Sequence, residues 1–228
     1  MSTLSGGPNI VTNGLVLSLD AANVKSYVSG STTWSNIVGA NVSGSLINGP
    51  TFNASNAGSI VFDGSNDYMD FYAPNLGTTT TVEIWANIST SSNRMMFGWL
   101  AYDAYVYNGS LGYNTGNSDV YGIPAATVTS LGLNANWKHY VFEMRSDVSY
   151  INNKIYINAV TQSLSQILGS ENAPTRTFNN GNGRLSGWRS DTAFPISMNC
   201  ALFKVYNRTL SAAEVLQNYN ATKTRFGL

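Results

Sequence analysis

The chain has one cysteine, Cys200, and one histidine, His139, among 228 residues. A lone cysteine excludes an intrachain disulfide, and with it the stapled scaffolds of small secreted domains. Set in a strand-like stretch, Cys200 reads as a small buried side chain and not as a reactive thiol. A lone histidine leaves little for a nucleophile–base pair. Charge is scarce too: twelve Lys and Arg balance twelve Asp and Glu, together 11% of the chain. No basic field exists to neutralise phosphates, so no nucleic-acid partner is expected. No apolar run approaches the roughly 20 residues of a membrane helix. Met1–Gly14 carries neither a basic start nor a long apolar stretch, so no signal peptide is expected. No internal repeat is visible.

What the chain has is Asn, Ser, Thr and Gly for polarity, and aromatics at 12% of its residues. Its length suits one β-sandwich and is enough to bury about 70% of the unfolded surface. Residues 1–12 read as a flexible or partner-bound arm, 13–222 as the folded domain and 223–228 as a tail. From Gly14 apolar residues alternate, with Leu15, Leu17 and Leu19 on one face. Val82, Ile84, Ala86 and Ile88 alternate likewise, and Trp85 on the opposite face predicts a strand covered on both sides. Turn residues separate strands at 59–63 and 67–72. Residues 95–123 predict three or four strands with tight glycine turns, and Trp137–Arg145 a long one. Residues 161–180 read as a polar loop, followed by strands at 183–188 and 197–206. Ser211 stands three residues before Glu214, the spacing of a capping box, so a helix is predicted over about 211–222. Many short strands at turn-limited spacing make the fold class all-β.

Four segments carry a resemblance. They are Gly58–Met69 with its Phe-Asp-Gly…Asp-Tyr, Thr81–Ala86, Trp137-Lys138-His139 with the hairpin ending near Val160, and the strand, turn and helix from Asn199 through Tyr206-Asn207-Arg208-Thr209-Leu210-Ser211 to Tyr219. In this order they are similar to laminin G-like domains of the concanavalin A-like lectin/glucanase superfamily. The resemblance implies a two-sheet antiparallel jelly-roll sandwich with one short C-terminal helix. The opening Gly14–Asn23, the segment Ser31–Asn36 and the ending Asn218–Gly227 resemble versions found in tailed-phage structural proteins. That implies a non-enzymatic bacteriophage virion accessory protein, a capsid decoration or tail-fibre component made in the host cytoplasm. Its partners would be other virion proteins or a host-surface polysaccharide. The low net charge suits such a fixed assembly. A bacterial carbohydrate-binding module is the alternative, and a glycoside hydrolase a more distant one.

Glucanases of this superfamily place their carboxylates in a Glu-x-Asp-x-x-Glu or Glu-x-Asp-x-Glu strand. The pair must be about 5–5.5 Å apart in a retaining enzyme. No such run occurs here, and no catalytic residue is expected. His139, beside Trp137, reads as a packed and hydrogen-bonded core histidine. Calcium is the one ion the resemblance allows, and Asp63, Asn66 and Asp67 carry suitable oxygens, but Asx residues at that spacing stabilise turns. No metal and no cofactor is expected. Sugar rings lie on aromatic faces while Asp and Asn bond their hydroxyls. Two clusters have that composition: Tyr102, Asp103, Tyr105, Asn117, Asp119 and Tyr121 in the aromatic stretch, and Trp188 with Asp191 further on. They are the candidate ligand-binding residues. Arg225 and Phe226 are a candidate anchor for a partner.

Overall fold

A computed structural model describes residues 9–39, 42–91, 93–116, 118–173 and 176–228. The first part of the chain lays down short strands: β1 (Leu15–Asp20), β2 (Thr33–Ser35), β3 (Ser43–Ile47), β4 (Thr51–Asn53), β5 (Ser59–Asp63) and β6 (Tyr68–Tyr72). The long β7 (Thr79–Ile88) precedes a run of four, β8 (Arg94–Trp99), β9 (Tyr102–Tyr107), β10 (Ser110–Asn114) and β11 (Val120–Ile123). A short helix, α1 (Ala125–Ser130), leads to β12 (Trp137–Arg145), β13 (Lys154–Ile157), β14 (Val160–Thr161) and β15 (Ser165–Leu168). Strands β16 (Asn182–Leu185) and β17 (Ser197–Tyr206) precede the C-terminal helix α2 (Ala212–Thr222).

The strands pair antiparallel into two sheets. The first runs β14-β13-β12-β7-β17-β5-β4, and β1 joins the free half of β17 beyond β5. The second runs β15-β11-β10-β9-β8-β16-β6-β3-β2. This is the all-β, two-sheet jelly-roll sandwich with one C-terminal helix that the sequence implies. Between the sheets lie the alternate residues of each strand, Val82, Ile84, Ala86 and Ile88 among them, all buried. Aromatic rings bridge the layers: Phe71 meets Phe203 at 4.9 Å and Phe97 meets Phe142 at 5.1 Å between centroids. Such pairs add about 0.5–1.5 kcal/mol each beyond burial.

The outer face of the first sheet is sealed by α2. Ser211 and Glu214 form both bonds of the capping box. Trp85, on the face of β7 away from the sandwich core, stacks on Phe226 at 4.1 Å and donates from Nε1 to Thr222 Oγ1 at 2.7 Å. The predicted two-sided burial of this strand is therefore what α2 completes. Beneath the helix Glu83 is wholly buried. Lys204 Nζ lies 2.9 Å from its Oε1 and Asn218 Nδ2 donates to its Oε2 at 2.6 Å. His139 Nε2 stands 3.2 Å from Oε1, and its ring lies 5.2 Å from Trp85. The histidine is thus packed as expected, with its ring against the Glu83 carboxylate.

Several expectations change. A β-bulge between Leu15 and Leu17 breaks the alternation of β1, so Leu15 packs beneath α2 while Val16, Leu17 and Leu19 serve the main core. Strands β5 and β6 belong to different sheets, so the turn at Asp63–Asp67 is a corner between layers. The polar stretch 161–180 contains β15, whose backbone pairs with β11. The C-terminal residues dock on their own domain: Arg225 bonds Asp20 and the Asn56 and Gly58 carbonyls, and Phe226 covers Trp85. Of the arm, residues 1–8 lie outside the described residues. Its end is tied down, since Val11 N donates to Asn218 Oδ1 at 2.7 Å.

Candidate functional site

The outer face of the second sheet carries the site. Along β9 Tyr102, Ala104 and Val106 enter the core, so Asp103, Tyr105 and Tyr107 belong to the outer face. Cross-strand register sets Met95 of β8 opposite Tyr105 and Asn114 of β10 opposite Asp103. Gly112 and Gly122 pair directly between β10 and β11, and a Cβ on either would enter the other strand's backbone.

One wall is the loop between β16 and β17. It is hydrogen-bonded onto β8 at both ends: Gly187 N donates to Met95 O at 3.0 Å, and Met95 N to Phe194 O at 2.8 Å. Ser186 (φ 66°) and Phe194 (φ 59°) both adopt the left-handed region, which is uncommon for a large residue. Trp188 is fixed at its tip by an Nε1 bond to Leu100 O of 3.0 Å. Arg184 latches the loop. It reaches Asp70 Oδ1 at 2.8 Å, Trp188 O at 2.9 Å and Asp191 O, and lies 3.7 Å over the Tyr68 ring.

The opposite wall is the turn after β10. The Asp119 carboxylate accepts from Thr115 N at 2.7 Å and Thr115 Oγ1 at 2.5 Å, and Asn114 Nδ2 donates to Asp119 O at 2.9 Å. Between the walls is a cavity of about 500 Å³, lined by Tyr105, Tyr107, Trp188, Phe194, Asn93 and Asn114 among others. That volume lies in the range of small-ligand sites, about 300–1,000 Å³. Tyr105 sits 6.0 Å from Tyr107 and 5.7 Å edge-on from Phe194, so three rings form one continuous aromatic wall.

Of the sequence candidates, Tyr105 and Trp188 line this cavity. Asp103 and Asp119 do not. Both are fully buried, and neither Asp103 oxygen has a hydrogen-bond partner. Burial pushes the Asp103 carboxyl well above the ordinary range, and Asp119 adds repulsion. Tyr102 is a correction: it lies in the sandwich core, stacked on Phe178 at 5.7 Å, with its hydroxyl donating to Arg145 O at 3.0 Å. Tyr121 is another. It packs towards the core, 5.2 Å from Tyr150, because it has the opposite strand parity to Val120. Asp191 caps its own turn through Ala193 N at 2.7 Å. Asn117 lies outside the described residues. The sequence reading passed over Tyr107, Asn114 and Phe194. Tyr107 shares the parity of Tyr105, which was a usable signal. Phe194 had none, since its position depends on the loop fold.

The oxygens considered for calcium do not assemble a site for it. Asp63 Oδ1 accepts from Ser65 N at 2.7 Å, an Asx turn, and Asp67 Oδ2 accepts from Asp63 N. Among the described residues no three His, Cys, Asp or Glu side chains converge as a metal site.

No family model and no curated protein matches the chain. Solved structures do match in fold. The receptor-binding domain of botulinum neurotoxin C/D mosaic serotype superposes with a TM-score of 0.60 at 12% identity, over 90% of this chain and 51% of that one. The type G receptor-binding domain gives 0.59 at 13%, over 91% and 51%. The serotype D ligand-binding domain in complex with N-acetylneuraminic acid gives 0.60 at 12%, over 90% and 50%. The chain thus spans about half the length of these structures, and at this identity the likeness is one of fold.

Proposed function

We propose that this chain is a non-enzymatic binding domain that holds a glycan in the cavity on the outer face of the second sheet. The observation that carries the reading is the wall of Tyr105, Tyr107 and Phe194, faced by Trp188 and interrupted by the amides of Asn93 and Asn114. Aromatic faces accept the C–H face of a sugar, and amides bond its hydroxyls. Among the described residues the lining contains no carboxylate, imidazole or thiol, which supports binding without chemistry. Similar solved structures are described as receptor-binding or ligand-binding domains, one of them in complex with N-acetylneuraminic acid, and this adds support. The virion setting is proposed on the phage-like opening and ending of the sequence.

The test is a glycan array with the purified chain, followed by titration of any hit. Saturable binding that is lost in Tyr107→Ala, with the fold intact, supports the reading. Binding that survives that substitution, or no binding at all, overturns the cavity as a glycan site. Mass spectrometry of purified phage particles tests the setting. Absence from particles, with glycan binding retained, would make the chain a bacterial carbohydrate-binding module.

A further inference from the structure

The charge around the cavity is lopsided. Among the described residues its lining includes no Lys or Arg. Of the cations nearest in sequence to the lining, Arg184 is paired with Asp70, and Arg94 and Arg189 are not among the lining residues. Arg94 Nη1 donates to the Asn93 carbonyl at 3.1 Å. Arg184 is held by Asp70 and the Trp188 and Asp191 carbonyls, and Arg189 Nη1 lies 3.9 Å from Asp70 Oδ2. Two wholly buried acidic residues adjoin the lining, Asp103 as the register partner of Asn114 and Asp119 next to Ser118, and neither reaches the cavity. The donors left in the lining are neutral. Among the described residues the Tyr105 and Tyr107 hydroxyls have no hydrogen-bond partner, and the Asn93 side chain uses only its Oδ1, which accepts from Asn108 N at 3.1 Å.

Resting on the glycan reading of this cavity, we infer that its ligand is an uncharged sugar, and that sugars bearing a carboxylate, such as sialic or uronic acids, are rejected there. A carboxylate entering would lose water without gaining a cation from the lining. A hydroxyl loses less on desolvation and finds phenol and amide partners of matched, neutral strength. Discrimination would therefore come from the unpaired charge of the wrong ligand as much as from attraction for the right one.

The experiment is titration with glycan pairs that differ only in one acidic residue. N-acetyllactosamine against its 3′-sialylated form is one pair, and neutral oligoglucosides against their glucuronic acid counterparts another. The expected result is binding of a neutral member at least tenfold tighter than its acidic partner, changing less than twofold between low and high salt. Ser118→Lys, which adds an ammonium on the cavity lining, should narrow that gap by strengthening the acidic member alone. Tighter binding of the acidic member, lost in Tyr107→Ala, would overturn the charge rule while leaving the cavity a glycan site. No binding of any member, on the titrations or the array, would overturn both.

Discussion

Gly98 and Asp103 are register partners across β8 and β9, and the Asp103 carboxylate occupies the space that a Cβ at position 98 would need. Asp103 has nowhere to retreat, since it is wholly buried. Gly98→Ala therefore forces either the strand or the carboxyl group to move. The expected loss is about 1–3 kcal/mol, as for other overpacked sites. At this chain length that is a fall in Tm of about 2–4 °C per kcal/mol. Unchanged thermal melting would show that the strands part freely.

The same carboxyl group sets a pH dependence. Its folded-state pKa is raised above the ordinary value near 3.8 by burial, with Asp119 adding to it. Between those two pKa values the folded state binds more protons than the unfolded one, so this group's contribution to stability falls as pH rises. Asp103→Asn removes the titration. Its stability relative to the parent should increase from pH 4 towards pH 8, by about 1–3 kcal/mol in total, the scale of an unpaired buried polar group. Denaturant curves at several pH values measure this, and parallel curves for the two proteins would refute it.

Glu83 behaves in the opposite sense. Burial alone would raise its pKa, but the Lys204 ammonium, with His139, brings it down to about 2. The stabilisation is complete above the ordinary Glu value of 4.5 and is lost as pH falls from there towards 2. Glu83→Gln leaves Lys204 buried without its counter-charge and should cost about 3–5 kcal/mol at neutral pH. Its acid limb should also be flatter than that of the parent over this window. Acid titration followed by near-ultraviolet circular dichroism distinguishes the two.

Trp188 and Tyr107 are partly exposed lining residues, outside the main sandwich core. Trp188→Ala or Tyr107→Ala should weaken glycan binding tenfold or more, which is about 1.4 kcal/mol or above. Melting should change little, because neither ring belongs to the main core. Calorimetry and melting on the same samples separate lost contact from lost fold.

Arg184 should be intolerant even of lysine. Its guanidinium serves Asp70, two loop carbonyls and the face of Tyr68 at once. A point-charge ammonium cannot reproduce that fork. Arg184→Lys should speed hydrogen exchange in residues 188–194 while β7, β12 and β17 keep their protection. Uniform exchange across the chain would mean that the loop is not latched by this side chain.

Much of the fold was legible in the sequence because period and caps are local. The alternation of Val82 to Ile88 around Trp85, the glycine-punctuated run of β8 to β11, and the Ser211–Glu214 box each arise from neighbours in the chain. The composition of the site was legible too, in Tyr105 and Trp188. Other features depended on contacts between segments far apart in sequence. The bulge in β1 exists to match β17, and β15 is a strand only because β11 offers an edge to polar residues. Strand parity decided that Tyr102 and Tyr121 turn inward while Tyr107 turns out, and register alone buried Asp103 against Gly98.

The sequence by itself determined a β-sandwich closed by a capped helix, since alternation and capping are properties of consecutive residues. Only the tertiary structure decided where a ligand fits. The cavity depends on a strained loop from 186 to 194 being pinned across the sheet by Arg184 and Met95, and no local pattern encodes a contact made by hydrogen bonds between distant strands.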